Sequence, residues 1–186
     1  MITRERNKTQ TLILTALFTA IVAVCSQIII PIGSVPLSLS TFAVLLAGVV
    51  LGPTAGATSL IVYMLLGIAG APVFSALRGG IGVLTGPTGG FIVGYIPMAF
   101  IAGCFYSPDS PRRSVLGMTL ASAALYLLGL AWFMFSTGQN FVSALFVCVL
   151  PFIPGDVMKA VAVMMLAGRL EPFRAYYASL SRSNRK

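Results

Sequence analysis

Long apolar stretches follow one another along this chain, and short runs of glycine, proline or charged residues separate them. Pro31 and the Gly52-Pro53 pair end the first two stretches, because proline lacks a backbone N–H and biases the preceding residue away from helix. Pro87, in contrast, suits the first turn of a helix. The pattern predicts six helices, over residues 9–30, 37–51, 54–70, 87–106, 114–135 and 154–170.

Two of the connections are long enough to have a role of their own. Residues 71–86, APVFSALRGGIGVLTG, are rich in glycine and form a predicted outer loop. Residues 136–153 contain an apolar piece that is too short to cross a bilayer, where a helical span needs about 20 residues. We therefore predict a short lid segment there, within a single membrane domain that covers residues 1–186.

The composition agrees with this reading, because 58% of the residues are hydrophobic and only 9% are charged. In soluble domains roughly a quarter of the residues are charged. The sequence therefore predicts an all-α integral membrane protein, folded as a bundle of six transmembrane helices. The chain has no histidine, the commonest general base and metal ligand. Cys25, Cys104 and Cys148 are too scattered for a disulfide framework or a metal cluster, so neither a metal nor catalysis is expected.

The basic residues are distributed unevenly over the predicted topology. Most of them fall on the side of both termini, which the positive-inside rule makes the cytoplasmic side. Basic flanks of this kind face anionic lipid headgroups, so the net charge of +8 requires no nucleic-acid partner. Arg78 and Lys159 alone are left on the outer side. The residues predicted to be cytoplasmic are Arg4, Arg6, Lys8, Arg112, Arg113, Arg169, Arg174, Arg182, Arg185 and Lys186.

Asp156 and Lys159 stand three residues apart at the start of the last predicted helix, in PGDVMK. This spacing places them on one helical face, and an ionisable residue inside a membrane costs about 2.5 to 3.5 kcal/mol, so such residues usually mark function. With Arg78 they carry one net positive charge, which a monocarboxylate ligand would neutralise. The alternatives are an ion pair that only neutralises itself and a solvated loop arginine.

Weaker candidates come from aromatic and small residues. Ala16 and Ala20 lie one turn apart and would allow another helix to approach, either within the bundle or from a partner. The glycines of RGGIGVLTGPTGG permit a close backbone approach but lack the ending of a phosphate-binding loop. Five aromatic side chains are pocket candidates, with plain packing as the alternative: Phe74, Tyr63, Phe91, Tyr95 and Trp132.

Three segments follow one another in order between residues 35 and 160: VPLSLSTFAVLLAGVVLGP, GIAGAPVFSALRGGIGVLTGPTGGF and LPFIPGDVMKA. Together they resemble the BioY family, the biotin-binding S components of energy-coupling factor (ECF) transporters. The resemblance implies a six-helix bundle in a bacterial or archaeal plasma membrane that captures biotin from outside. It also implies an energising module of one transmembrane coupling subunit and two ATPases, so that ATP is used only by partner subunits and this chain needs no cofactor.

The resemblance further implies which residues meet biotin. Asp156 would accept from the ureido N–H groups, while Arg78 and Lys159 would donate to the carboxylate or the ureido oxygen, and which cation meets which oxygen stays open. In this family the alanine stripe, here Ala16 and Ala20, contacts the coupling subunit. The predicted substrate-binding residues are Asp156, Lys159, Arg78, Gly79, Gly80, Phe74, Thr41 and Tyr95.

One position departs from the family pattern. Relatives commonly read Leu-Gln-Thr where this chain has Leu39-Ser40-Thr41. The shorter Ser40 side chain predicts a polar contact that is missing or mediated by water. Other functions remain open at this point: an S component for another small carboxylate, a structural membrane protein without transport, or a membrane enzyme.

Overall fold

The computed structural model describes residues 2–30, 37–175 and 177, with side chains from residue 9 onward. The predicted all-α architecture is confirmed, with one small ribbon of two strands as an addition. Among the predicted cytoplasmic basic residues, Arg182, Arg185 and Lys186 lie outside the described residues, as do the side chains of Arg4, Arg6 and Lys8. The elements are α1 (Ile2–Cys25), β1 (Ile29–Ile30), β2 (Leu37–Ser38), α2 (Ser40–Ile68), a 3₁₀ turn (Ser75–Leu77), α3 (Ile81–Thr85), α4 (Gly89–Phe105), α5 (Pro111–Thr137), α6 (Phe141–Cys148) and α7 (Ile153–Arg169).

Helix α2 is a hairpin of two helical arms. Gly52 adopts φ 78° and ψ 177°. This conformation is not helical, and glycine adopts it readily because it has no Cβ. A Cβ added to Gly56 would lie 2.8 Å from the Cα of Gly48, although eight residues of straight helix span about 12 Å. The chain therefore folds back at Gly52, and the two arms correspond to the predicted helices over residues 37–51 and 54–70.

Length and composition single out membrane-spanning candidates among the described residues. The ranges Ser40–Ile68 and Pro111–Thr137 qualify individually, and Phe141–Cys148 with Ile153–Arg169 qualifies as a pair bent by 48°. Thr9–Cys25 and Gly89–Phe105 are shorter apolar helices. A criterion of length treats α2 as one span, although Gly52 folds it back into two antiparallel arms. The six predicted helices therefore correspond to α1, the two arms of α2, α4, α5 and α7.

Helix α4 lies at the centre of the bundle, packed against α2 on one side and α5 on the other. Its contact with α2 is very close, because a Cβ on Gly48 would lie 2.2 Å from the carbonyl oxygen of Ala99. On the other side, a Cβ on Gly94 would lie 2.9 Å from the Leu125 side chain. Small residues allow such approaches, which stabilise helix pairs when lipid supplies no hydrophobic drive. Helices α2, α4 and α5 form the frame to which α7 is attached.

The helix boundaries differ from the predicted ones mainly in α1. The prediction carried this helix to residue 30, whereas it ends at Cys25 and the chain turns into β1. Ile29 pairs with Ser38 and Ile30 with Leu37 in an antiparallel ribbon. Isoleucine is β-branched and suits a strand as well as an apolar helix, which explains why hydropathy alone extended the helix.

The two long connections are structured. Within residues 71–86 the chain forms the 3₁₀ turn and α3, and Phe74 and Arg78 form an isolated β-bridge. Within residues 136–153 it forms α6, whose first turn is capped by Asn140 through a bond of 2.8 Å from the Ser143 N–H. An asparagine in this position satisfies a backbone donor that the helix itself leaves open. Both connections lie over the same end of the bundle as the start of α7.

Candidate functional site

Asp156 and Lys159 form a buried ion pair in the first turn of α7, with 2.9 Å between Lys159 Nζ and Asp156 Oδ1. Asp156 is only 7% exposed. Its negative charge lies near the positive end of the helix dipole, which favours a carboxylate there. The predicted common face of the two residues is therefore confirmed.

Residues at the start of α2 complete the coordination of this pair. Thr41 Oγ1 donates to Asp156 Oδ1 at 2.8 Å and accepts from Lys159 Nζ at 3.0 Å. Lys159 Nζ also donates to the carbonyl oxygen of Ser38 in β2, at 2.6 Å. All three donors of the ammonium group are thus used inside the protein. The ribbon matters for the site because it places this Ser38 carbonyl beside α7.

Tyr126 of α5 supplies a further hydrogen bond, which the sequence reading missed. Its hydroxyl donates to Asp156 Oδ2 at 2.5 Å, so that both carboxylate oxygens accept from neighbours. A single hydroxyl within the apolar run ALYLLGL, residues 124–130, was the available signal. Because a buried hydroxyl needs a partner, a lone tyrosine within an apolar helix indicates a polar contact inside the bundle. We call Thr41, Tyr126, Asp156 and Lys159 the polar corner.

A small cavity of about 60 Å³ adjoins the polar corner. Six of the eight predicted binding residues line it: Asp156, Lys159, Arg78, Phe74, Thr41 and Tyr95. Its other lining residues are Leu37, Ser38, Tyr63, Ser75, Val83, Thr88, Phe91, Ile92, Leu125, Tyr126 and Phe152.

Aromatic side chains form much of the cavity wall. The rings of Tyr63 and Phe74 meet edge to face with 5.5 Å between their centroids, and Phe91 and Tyr95 line the same space. Trp132, the remaining aromatic candidate, does not line it, because its Nε1 donates to the Gly86 carbonyl at 3.0 Å and ties α5 to the outer loop. The result is a space with apolar walls and one strongly polar end.

Arg78 lines the cavity from the outer loop and is exposed. Its Nε donates to the carbonyl oxygen of Ser75 at 3.2 Å, which holds the side chain over the 3₁₀ turn. In the described part of the chain no carboxylate forms a salt bridge with Arg78. Its charge, unlike that of Lys159, is not neutralised by a described acidic residue.

Gly79 and Gly80 are not among the residues that line the cavity. A Cβ on Gly79 would lie 2.4 Å from the Ala71 carbonyl oxygen, so only glycine fits between the two sides of the loop. Gly80 adopts φ 90° and donates its N–H to the Gly67 carbonyl at 2.7 Å. Both glycines are accounted for by the shape of the loop that carries Arg78.

Ser40, the position that departs from the family pattern, is completely buried and does not line the cavity. Its hydroxyl is hydrogen bonded to Tyr95 OH at 2.6 Å and to the Ser38 hydroxyl. The residue therefore orients Tyr95, which does line the cavity, and it acts on the cavity wall through that side chain.

Gln27, just beyond the end of α1, holds the outer loop through three hydrogen bonds. Its Nε2 donates to the carbonyl oxygens of Val73 at 3.1 Å and Phe74 at 3.2 Å. Its Oε1 accepts from the Leu77 N–H at 2.9 Å. Three backbone groups of the loop are thus fixed by one side chain, which holds Phe74 against the cavity.

Ala16 and Ala20 are exposed on α1, whereas Phe18 and Thr19 between them face the bundle. Thr19 Oγ1 donates to the Ser59 carbonyl at 2.9 Å, which fixes the rotation of α1 against the second arm of α2. The alanines are therefore not an internal packing seam. We call the exposed side of α1 that contains them the alanine face.

Comparison with known proteins gives a consistent result. The model of the BioY family matches residues 2–176. A Pyrococcus horikoshii protein described as a probable biotin transporter BioY is 41% identical over 158 residues, 85% of this chain and 94% of the relative. The biotin transporter BioY of Thermotoga maritima is 36% identical over 161 residues, 86% of this chain and 95% of the relative.

A solved structure is also similar in fold. The crystal structure of the S-component for biotin from an ECF-type ABC transporter matches with a TM-score of 0.82 and 27% identity, covering 92% of this chain and 97% of that one. The match therefore extends over nearly the whole chain. The chain belongs to the BioY family.

Proposed function

We propose that this chain is the substrate-binding membrane subunit of a biotin uptake transporter. It captures biotin in the cavity at the outer face and delivers it together with an ATP-driven ECF module. The polar corner carries the proposal, because it closes one end of a cavity with aromatic walls in a member of the BioY family. The chain itself is a transport component, and its partners hydrolyse the ATP.

Biotin has a neutral ureido ring at one end and a carboxylate at the other, and the cavity offers matching groups. Asp156 is an acceptor for the ureido N–H groups, and the hydroxyl groups around it are candidate donors for the ureido oxygen. The three donors of Lys159 are already used inside the protein, whereas Arg78 has no described acidic partner. We therefore assign the carboxylate to Arg78 and the ureido ring to the polar corner.

The cavity must widen before biotin can enter. A volume of about 60 Å³ accommodates a few water molecules. The outer loop and the segment over residues 136–153 cover this end of the bundle, and we assign the latter, with its helix α6, as a lid. Phe152 at the end of this segment lines the cavity, which couples the lid to the ligand.

The remaining assignments concern orientation and partners. We assign both termini to the cytoplasm, because the basic side chains that the structure describes at the start of α5 and the end of α7, Arg112, Arg113, Arg169 and Arg174, lie at the end of the bundle opposite to Arg78 and Lys159. The guanidinium of Arg174 lies 4.6 Å from the Tyr106 ring, which places the end of α7 beside the connection between α4 and α5. The alanine face is the surface that docks the coupling subunit, since it is exposed and carries small side chains.

Equilibrium binding of labelled biotin to the purified chain tests this function. We expect saturable binding of one biotin per chain, competed by desthiobiotin, which keeps the ureido ring, and not by lipoate. Competition by lipoate and not by desthiobiotin would indicate a carrier for another small carboxylate. Absence of binding in a chain that elutes as a folded species would favour a structural membrane protein.

A further inference from the structure

An apolar groove runs between α5 and α7 on the side of the bundle that faces the membrane. Its volume is about 350 Å³, compared with about 60 Å³ for the ligand cavity. Helix α5 packs mainly on α4 and touches α7 only sparingly, which leaves this space open. Its sides are formed by Val115, Thr119, Ala123, Val157, Val161 and Met164.

Small residues leave room between the two helices in the middle of the groove. Ser122 and Ala123 of α5 face Ala160 of α7 there. Tyr126 and Asp156 close the end of the groove that lies beside the ligand cavity, and the same two residues line that cavity. The Tyr126–Asp156 hydrogen bond thus forms a wall shared by the two spaces.

The length of the groove matches one leaflet of a bilayer. Eleven residues of α5 separate Val115 from Tyr126, a rise of about 16 Å. Half of a hydrocarbon core is about 15 Å thick. The groove therefore has the dimension of a single acyl chain that enters from the basic end of the protein and reaches the level of Asp156.

A smaller depression of about 220 Å³ continues the groove at that basic end and shares Met164 with it. Tyr106 and Glu171 line this depression, and the guanidinium of Arg174 lies over the Tyr106 ring and 3.4 Å from Glu171. Arg112, in the first turn of α5, lies one turn before Val115 on a similar side of the helix. The described charged residues at this end are Arg112, Arg113, Arg169 and Arg174 against Asp109 and Glu171, four positive and two negative charges, so this end carries a net charge of +2.

We propose that the groove binds one acyl chain of an anionic phospholipid, whose headgroup lies at Arg112 and Arg174. The lipid comes from the leaflet at the basic end of the bundle. Its chain fills the space behind Tyr126 and Asp156. The site is separate from the biotin cavity and does not depend on the proposed function.

Fluorescence quenching by brominated lipids tests the site. Trp132 is the only tryptophan, so a Trp132→Phe background leaves no other indole emission. Val161→Trp in this background reports on the groove. Leu120→Trp reports on the opposite, lipid-facing side of α5, at a depth that differs by only ~2 Å by helical rise. Each variant is reconstituted into vesicles that contain brominated phosphatidylglycerol or brominated phosphatidylcholine.

We expect the groove probe to prefer phosphatidylglycerol over phosphatidylcholine by roughly fivefold, the factor that one added basic residue gives at an anionic lipid surface. The control probe should show no comparable preference. Adding Arg112→Gln and Arg174→Gln should abolish the preference of the groove probe.

A matched pair, Arg113→Gln with Arg169→Gln, removes the same charge at the same end of the bundle. Arg113 donates to the Cys104 carbonyl of α4 at 3.3 Å, away from the groove, and helical phase turns Arg169 away from it as well. This pair should leave the preference unchanged. Equal quenching by both lipids at the groove probe would overturn the proposal, as would equal losses with the two arginine pairs. Quenching by neither lipid would also overturn it, because lipid would then be excluded from the groove, as a second copy of the chain would exclude it.

Discussion

The polar corner and the alanine face are opposites in their chemistry. In the corner, Asp156 and Lys159 use their hydrogen-bonding groups on defined partners in α2, α5 and the ribbon. The alanine face presents only methyl groups at Ala16 and Ala20. A function of the corner therefore depends on charge and hydrogen-bond geometry, whereas a function of the alanine face depends on how closely another surface approaches.

The largest expected effect separates these two functions completely. Replacing Ala16 and Ala20 together by tryptophan should reduce ATP-dependent biotin uptake at least about 100-fold and change biotin affinity less than about twofold, because the bulky rings prevent docking far from the cavity. Uptake into cells or proteoliposomes that contain the ECF module, with equilibrium binding alongside, measures both. Leu116→Trp with Leu120→Trp, also four residues apart and exposed, is the matched control on α5 and should retain uptake. Loss of binding with the alanine pair would show that the two regions are not independent.

The next effect concerns the corner alone. Asp156→Asn and Lys159→Ala should each weaken biotin binding by about 10- to 100-fold, because each leaves a buried charged partner without its hydrogen bonds. The double variant should cost less than the sum of the two, since the residues pair directly at 2.9 Å. Titration of the purified variants with labelled biotin measures the losses. Full affinity in both single variants would exclude this face of α7 as the site.

A smaller effect tests the other end of the cavity. Arg78→Ala should weaken biotin about tenfold and leave the affinity for biotin methyl ester nearly unchanged, because the ester lacks the charge that a guanidinium recognises. Competition binding with both ligands measures the difference. Equal losses for biotin and its ester would show that Arg78 does not bind the carboxylate. Lys159 would then be the partner of the carboxylate.

The smallest effect concerns Ser40. Ser40→Ala should weaken biotin only about twofold, because the hydroxyl is bonded to Tyr95 and does not line the cavity. Tyr95→Phe removes the same bond from the other side and should have a similar effect. A tenfold loss that occurs with Ser40→Ala alone would mean that Ser40 reaches the ligand directly.

Much of this architecture follows from local sequence signals. The positions of the prolines and the lengths of the apolar runs predict the six helices. They also predict the break at Gly52 that divides α2 into two arms. The spacing of Asp156 and Lys159 predicts their common face, since three residues make nearly one helical turn. Such features depend on neighbours in sequence, and the sequence alone reveals them.

Features that depend on distant segments were not predictable in the same way. Lys159 donates to the Ser38 carbonyl, 121 residues away, and a backbone carbonyl carries no sequence signature. Tyr126 meets Asp156 only because α5 and α7 approach each other. Gly79 and Gly80 were visible as requirements for a close approach, but only the structure shows that the approach is to Ala71 and Gly67.

The hydrogen bonds of Gln27 connect the end of α1 to the outer loop. The alanine face and Gln27 are parts of one continuous segment, with about 10 Å of helical rise between Ala20 and Gln27. Gln27 holds the backbone on both sides of the 3₁₀ turn, at Phe74 and Leu77. A movement of α1 on docking would therefore also move the loop that covers the cavity, whereas larger side chains on the exposed face of α1 leave the helix and these hydrogen bonds in place. Helix α1 thus connects the proposed docking surface to the mouth of the cavity.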